Sequence, residues 1–110
     1  MGGANQPLAH AQFVSNVVDY GMNIQAALEN ARFTVSSQRG CNIMIESRVT
    51  PEVLRQLSAM GHKLEVRREY STAMGRGQAV LHDSKMKVNY GASDARADGS
   101  AEPEPPPLTR

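Results

Sequence analysis

Residues 41–67 read Cys41-Asn42-Ile43-Met44-Ile45-Glu46-Ser47-Arg48-Val49-Thr50-Pro51-Glu52-Val53-Leu54-Arg55-Gln56-Leu57-Ser58-Ala59-Met60-Gly61-His62-Lys63-Leu64-Glu65-Val66-Arg67. The hydrophobic period changes twice along this stretch. Cys41, Ile43 and Ile45 alternate with Asn42, Met44 and Glu46, the period of a half-buried strand. Thr50-Pro51-Glu52 then starts a helix, with a capping Thr, a Pro at the first position and an acid facing the positive end of the dipole. Val53, Leu54, Leu57 and Met60 make one apolar face, and Gly61 ends the helix. Leu64 and Val66 alternate with Glu65 and Arg67, which predicts a second strand.

Working outward, Arg32 to Ser36 is short and β-branched at Thr34 and Val35, so it reads as a strand linked to the next by Ser37 to Gly40. Residues 7–31 read as two helices. Pro7 suits a first turn. Phe13, Val14, Val17 and Val18 follow at helical spacing, Gly21 breaks the helix, and Asn23 caps a second one holding Ile24, Ala27 and Leu28. On the other side, Gly77 to His82 predicts a strand, Asp83-Ser84-Lys85 a turn, and Met86, Val88 and Tyr90 a return strand. The order is α-α-β-β-α-β-β-β. Strands that do not alternate strictly with helices predict an α+β fold, with an antiparallel sheet and helices on one face.

The chain has 110 residues and a formal net charge of +1. That size allows one small domain or a piece of a larger one. A near-neutral charge provides no sequence-independent hold on nucleic acid. No apolar run reaches the ~20 residues that span a bilayer. The segment Met1-Gly2-Gly3-Ala4-Asn5-Gln6-Pro7 lacks the basic region and apolar core of a signal peptide. Composition shifts near Ser93: four of the six prolines follow it. We expect a folded domain over 1–94. Beyond it, 95–110 holds a terminal motif and a Pro-rich tail, with Ala101 to Arg110 disordered or extended because it buries too little apolar surface to offset its ordering entropy. The tail is net acidic and the body net basic, neither strongly enough to name a partner.

The candidate chemical groups mostly read as ordinary structure. His10, His62, His82 and Cys41 are scattered without zinc-ligand spacing, so no metal site is expected. Each His suits a surface or capping role, and His62 follows Gly61, where an imidazole can meet free carbonyls. Cys41, with no local base, reads as a packed structural thiol. Glu65 and Glu69 lie among Arg67 and Arg68 on a solvated face. Asp94 and Asp98 flank Arg96 at a spacing that suits local turn hydrogen bonds. Gly75-Arg76-Gly77 precedes a strand rather than a helix, so it reads as a loop with positive backbone dihedrals, not a phosphate cradle. Gly2-Gly3 stands just before a helix. Consecutive glycine N–H groups in that place can form an oxyanion hole, because a backbone without Cβ atoms approaches a carbonyl closely.

Several segments in order resemble the small subunit of γ-glutamyltransferases. They are Gly2-Gly3-Ala4-Asn5-Gln6-Pro7, Asp19 to Leu28, Ala31-Arg32-Phe33, Leu57 to His62, Gly75 to Val80, and Gly91 to Gly99. The resemblance covers Gly2 to about Gly99. It implies the C-terminal portion of an N-terminal-nucleophile hydrolase, an α-β-β-α sandwich made by a self-cleaving precursor. In such enzymes the N-terminal Thr of the small subunit attacks a γ-glutamyl amide such as glutathione, and the acyl-enzyme passes to water or an amine. The resemblance assigns the oxyanion donors to Gly2 and Gly3 and implies no cofactor. It finds no nucleophile segment in this chain, so the isolated chain should be inactive. The implied partners are the upstream part of the small subunit, the large subunit and a γ-glutamyl substrate, with no nucleic acid and no membrane. Strand edges and apolar faces left by those partners should be exposed. Met1 stands where many transferases have Ser-Pro, a feature similar to the acylase branch. Ile24, Ala31 and Ala95 replace prolines of the family pattern, which loosens turns. The resemblance leaves the location open: relatives are commonly periplasmic or secreted, and a cytoplasmic location is the alternative. The alternative is a free-standing, non-catalytic binding domain derived from that family.

Overall fold

The computed structural model describes residues 3–35 and 39–105. A short 3-10 turn, Gly3–Asn5, runs into helix α1 (Gln6–Val18). Pro7 lies in the first turn of α1, where its missing N–H forfeits no intrahelical bond. Gly21 adopts φ +65°, and the Met22 N–H turns back to the Asn16 carbonyl at 3.0 Å. Helix α2 (Ile24–Glu29) is capped by the Asn23 side chain, which accepts from the Ala26 N–H at 2.8 Å.

Strand β1 (Phe33–Val35), strand β2 (Asn42–Glu46), helix α3 (Pro51–Ala59) and strand β3 (Lys63–Arg67) follow. The end of the first expected strand at Ser36 and its linker at 37–38 lie outside the described residues. Thr50 caps α3, as its sequence predicts, and Gly61 ends the turn beyond it at φ +94°. The three strands form one sheet in the order β1-β2-β3. β1 is antiparallel to β2, but β2 and β3 are parallel, with Ile43 opposite Leu64 and Ile45 opposite Val66. The expected all-antiparallel sheet is therefore corrected. A helix inserted between two neighbouring strands returns the chain to its starting end, and that connection makes them parallel.

Strands β4 (Gln78–Asp83) and β5 (Val88–Ser93) form a separate antiparallel hairpin, from Gln78 opposite Ser93 to Asp83 opposite Val88. Its turn takes in Met86 and Lys87, the latter at φ +54°, so Met86 does not belong to the return strand. Helix α2 packs on this hairpin and α3 on β3. The helices thus serve two sheets rather than sharing one face, because each apolar face covers the strands nearest to it.

Ile24, Leu28 and Ala92 form the buried centre, with Phe13, Val17 and Ala79 against it. Ile43 and Ile45 bury the inner face of β2. Much apolar surface is uncovered: Val80 is 76% exposed, and Leu81, Met86, Val88 and Tyr90 are exposed along the same hairpin. Val53 of α3 and Met60 at its C-terminal cap are exposed as well. None of the described helices is long and apolar enough to cross a membrane.

Candidate active site

The N-terminal turn and the loop before β4 enclose a cleft of about 330 Å³. Asn5 and Gln6 bring the start of α1 to one wall, and Gly75 and Arg76 form part of the other. Phe13, Leu28 and Met74 give it apolar lining. The Thr34 hydroxyl donates to Asn5 Oδ1 at 2.5 Å, which ties the N-terminal turn to β1. Gly3 lies two residues before Asn5, exposed and at φ +45°. That left-handed conformation suits glycine and strains residues with a Cβ. Gly2 lies outside the described residues.

The loop on the far wall is fixed from below. Met74 is buried at 1% exposure, and Gly75 takes φ +87°. Gly77 is required for space instead, since a Cβ there would meet Leu28 Cδ2 at 2.6 Å. The Gly77 N–H donates to Asp94 Oδ2 at 2.9 Å. The reading of this loop as one with positive dihedrals holds at Gly75 alone.

Asp94 belongs to a buried cluster of charges. Arg96 uses all its side-chain N–H groups: Nε and Nη2 grip Glu46 at 2.7 and 2.5 Å, Nη1 donates to Asp94 at 3.0 Å, and the Leu28 and Asn30 carbonyls accept the others. Arg32 pairs with the second oxygen of Asp94 at 2.8 Å, and Arg48 pairs with Glu46 at 3.0 Å. Glu46 also accepts from the backbone N–H groups of Arg32 and Ser71. The Tyr70 ring lies 4.0 Å from the Arg48 guanidinium. One cluster thus joins the end of α2, the link from α2 to β1, β2 and the segment after β5.

The electrostatics follow from these contacts. Burial alone would raise the Glu46 pKa, but hydrogen bonds from Arg96, the Arg32 N–H and Arg48 hold it below the usual carboxylate range. Burial also works against ionised Asp94, and the Arg96 N–H together with the charges of Arg32 and Arg96 outweighs it. Burial and then repulsion from Arg96 lower the Arg32 pKa, while Asp94 opposes both. Arg96 is desolvated too, yet Glu46 and Asp94 raise it. Both carboxylates are fixed anions with committed lone pairs, a poor arrangement for proton transfer and a good one for holding backbone.

Sequence reasoning missed this cluster. Glu46 falls on the polar phase of an alternating strand, yet its exposure is 0%. The signal available was a charge of each sign beside apolar residues at Arg32, Glu46 and Arg96, and only the fold brings them together. Asp98 is exposed, so it does not form a carboxylate pair with Asp94. Glu65 pairs with Arg67 at 2.6 Å on a solvated face, as expected. Cys41 is exposed rather than packed, because it precedes β2 at the end where burial declines from Ile45 toward Ile43. His82 Nδ1 meets Asn89 across the hairpin at 2.8 Å. His62 Nδ1 has no hydrogen-bond partner among the described residues, so its ring nitrogen does not cap the helix. No group of metal-binding side chains occurs among the described residues. The cleft lining offers amide, guanidinium and imidazole groups but no hydroxyl, thiol or carboxylate. It can therefore orient a ligand and stabilise negative charge, and its lining offers no nucleophile.

The family model for gamma-glutamyltranspeptidase matches residues 1–104. The chain is 31% identical, over 91% of its length and 19% of the relative's, to the glutathione hydrolase-like YwrD proenzyme of Bacillus subtilis. It is 28% identical, over 92% of its length and 20% of the relative's, to the oxamate amidohydrolase proenzyme of Klebsiella pneumoniae. Its fold superposes on the cephalosporin acylase of Bacillus halodurans with a TM-score of 0.77 at 32% identity, covering 86% of this chain and 17% of that one. A highly active mutant of gamma-glutamyltranspeptidase from Pseudomonas nitroreducens gives a TM-score of 0.75 at 26% identity, covering 90% and 50%. The chain spans about a fifth of the length of the curated relatives it matches.

Proposed function

Because the chain belongs to the gamma-glutamyltranspeptidase family, we propose that it is the C-terminal part of the small subunit of an amide-cleaving N-terminal-nucleophile hydrolase. In this reading the upstream residues supply a Thr nucleophile, and Gly2 and Gly3 supply oxyanion donors. The Thr oxygen bonds to the γ-glutamyl carbonyl carbon while the Gly N–H groups hold the developing oxyanion. The C–N bond then breaks, the Thr proton goes to the departing amine, and an ester-linked acyl-enzyme remains. Attack by water, or by a second amine, releases the acyl group and returns the Thr hydroxyl. The substrate class is a γ-glutamyl amide such as glutathione. The rest of the small subunit and the large subunit are the partners, and they would cover the exposed apolar hairpin.

The observation that carries this reading is the position of Gly3. It adopts a left-handed conformation two residues ahead of Asn5, which lines a cleft with no nucleophile of its own. The matched relatives are named as hydrolase, amidohydrolase and acylase, which supports the reaction class. The test is hydrolysis of a γ-glutamyl anilide by the full-length protein. Gly3→Pro removes a donor and should lower kcat by about 10²–10³. Gly3→Ala keeps the donor and should retain more of the rate. Equal activity in wild type and Gly3→Pro would refute the oxyanion role.

A further inference from the structure

We propose that β3 is a docking edge for a second copy of this chain, and that the two copies pair β3 with antiparallel β3 about a two-fold axis at Val66. The three-stranded sheet has the order β1-β2-β3, so no strand among the described residues pairs with the outer side of β3. The Lys63 N–H donates to the Cys41 carbonyl at 2.8 Å, and the Arg67 carbonyl accepts from the Ser47 N–H at 2.8 Å, both on the β2 side. Backbone groups of successive strand residues point to opposite sides, so Leu64 and Val66 direct theirs outward. A row of open N–H and C=O groups is a template for another strand. This edge differs from the β4-β5 hairpin, where Val80, Leu81, Val88 and Tyr90 leave an apolar surface. Along β3 every second residue is charged, and Glu65 and Arg67 keep 57% and 42% of their side-chain surface in contact with solvent.

The charge sequence selects both the occupant and the register. Residues 63–69 read Lys63-Leu64-Glu65-Val66-Arg67-Arg68-Glu69. Set antiparallel about Val66, they place Glu65 opposite Arg67 of the second copy and Arg67 opposite its Glu65. Lys63 comes opposite Glu69, which is exposed just beyond the strand. Val66, 51% exposed, meets its own equivalent and exchanges both hydrogen bonds with it, because its backbone groups face outward. The charged residues then fall at the non-hydrogen-bonded positions, where side chains approach more closely. Opposite charges at such positions stabilise the pairing, and like charges oppose it. A two-residue shift one way sets Glu65 against Glu65 and Lys63 against Arg67. The same shift the other way sets Arg67 against Arg67 and Glu65 against Glu69. A one-residue slip sets outward backbone groups against inward ones. Self-pairing is thus favoured in one register, and it makes an isologous interface with the same strand on both sides. Nothing in this pairing depends on the amidase reading above.

The test is the mass of the full-length protein in sedimentation velocity across a dilution series. Wild type should dimerise reversibly. Glu65→Arg and Arg67→Glu each set like charges against one another at two places, so each should weaken dimerisation about tenfold or more. Mixed in equal amounts, the two variants should pair with each other at about wild-type affinity, because positions 65 and 67 of one then carry the charge opposite to those of the other. Both variants break the Glu65–Arg67 ion pair within the strand. Recovery on mixing therefore reports contact between copies, since it cannot repair a pair within one. Arg55→Glu on α3 makes the same charge change away from the edge and should leave dimerisation unchanged. A wild type that stays a single copy at every concentration would overturn the proposal, as would a dimer that neither edge substitution weakens, or variants that do not recover on mixing. Loss of folded protein in both edge variants would overturn it too, since another part of the same enzyme would then cover this strand.

Discussion

Arg96, after β5, and Arg76, in the loop before β4, meet different fates. Arg96 is buried, with every side-chain N–H engaged by Glu46, Asp94 or a carbonyl. Arg76 faces the cleft without an ion pair among the described residues. Asp94 connects the two regions, since it binds Arg96 and Arg32 and also anchors Gly77. The difference teaches how charge is used in this small molecule. A charge whose valences are filled by neighbours locks backbone segments together. A charge left open at a concave surface is available to a ligand.

The same substitution at both positions gives the widest contrast. Arg96→Gln strips one partner from a buried ion cluster and should destabilise the fold by about 3–5 kcal/mol. Arg76→Gln, on the open side, should change stability by no more than about 0.5 kcal/mol. Urea unfolding of the two variants measures both, and similar losses would erase the distinction between the regions.

Acid should attack the closed region selectively. The Glu46 and Asp94 pKa values are lowered on folding. Their stabilisation is thus complete above the unfolded carboxylate range, near about 4, and is lost as pH falls through the lower folded values. Stability measured as a function of pH should fall steeply on the acid side in wild type. Glu46→Gln should be less stable at neutral pH and show a shallower acid slope. A slope identical to wild type would mean that Glu46 does not bind its proton differently on folding.

The boundary between the two regions gives a smaller loss than the Arg96 substitution. Gly77→Ala places a methyl group against Leu28 Cδ2 and should cost about 1–3 kcal/mol through overpacking. It should also loosen the loop that Asp94 anchors, so amide hydrogen exchange at residues 75–77 should speed up along with the loss of stability. A stability loss with unchanged exchange there would show that the loop does not depend on the Asp94 anchor.

Local cues were enough for most elements. Asn23 and Thr50 cap α2 and α3 as their sequence contexts predict, because a cap needs only its own helix turn. Gly21 and Gly61 end their segments at positive φ for the same local reason. Glu46 shows where such reading stops. Period-two alternation places it in water, while the fold buries it beneath Arg96, fifty positions away in sequence. The Gly2-Gly3 pair is legible as an oxyanion candidate only through the chemistry of glycine N–H groups before a helix. The cleft that Asn5 and Gln6 line is closed by a distant loop at Gly75 and Arg76, so no local pattern announces it.

The sequence by itself determined the order of the elements, their start and stop signals and the family to which they belong. All of these depend on short-range periodicity and on ordered motifs. Only the tertiary structure decided that β2 and β3 run parallel, that Glu46, Asp94, Arg32 and Arg96 share one buried site, and that Arg76 is left facing the cleft. Strand direction depends on how α3 returns the chain. The fate of each charge depends on which opposite charges the packing brings within hydrogen-bond reach, and residue type alone does not specify that.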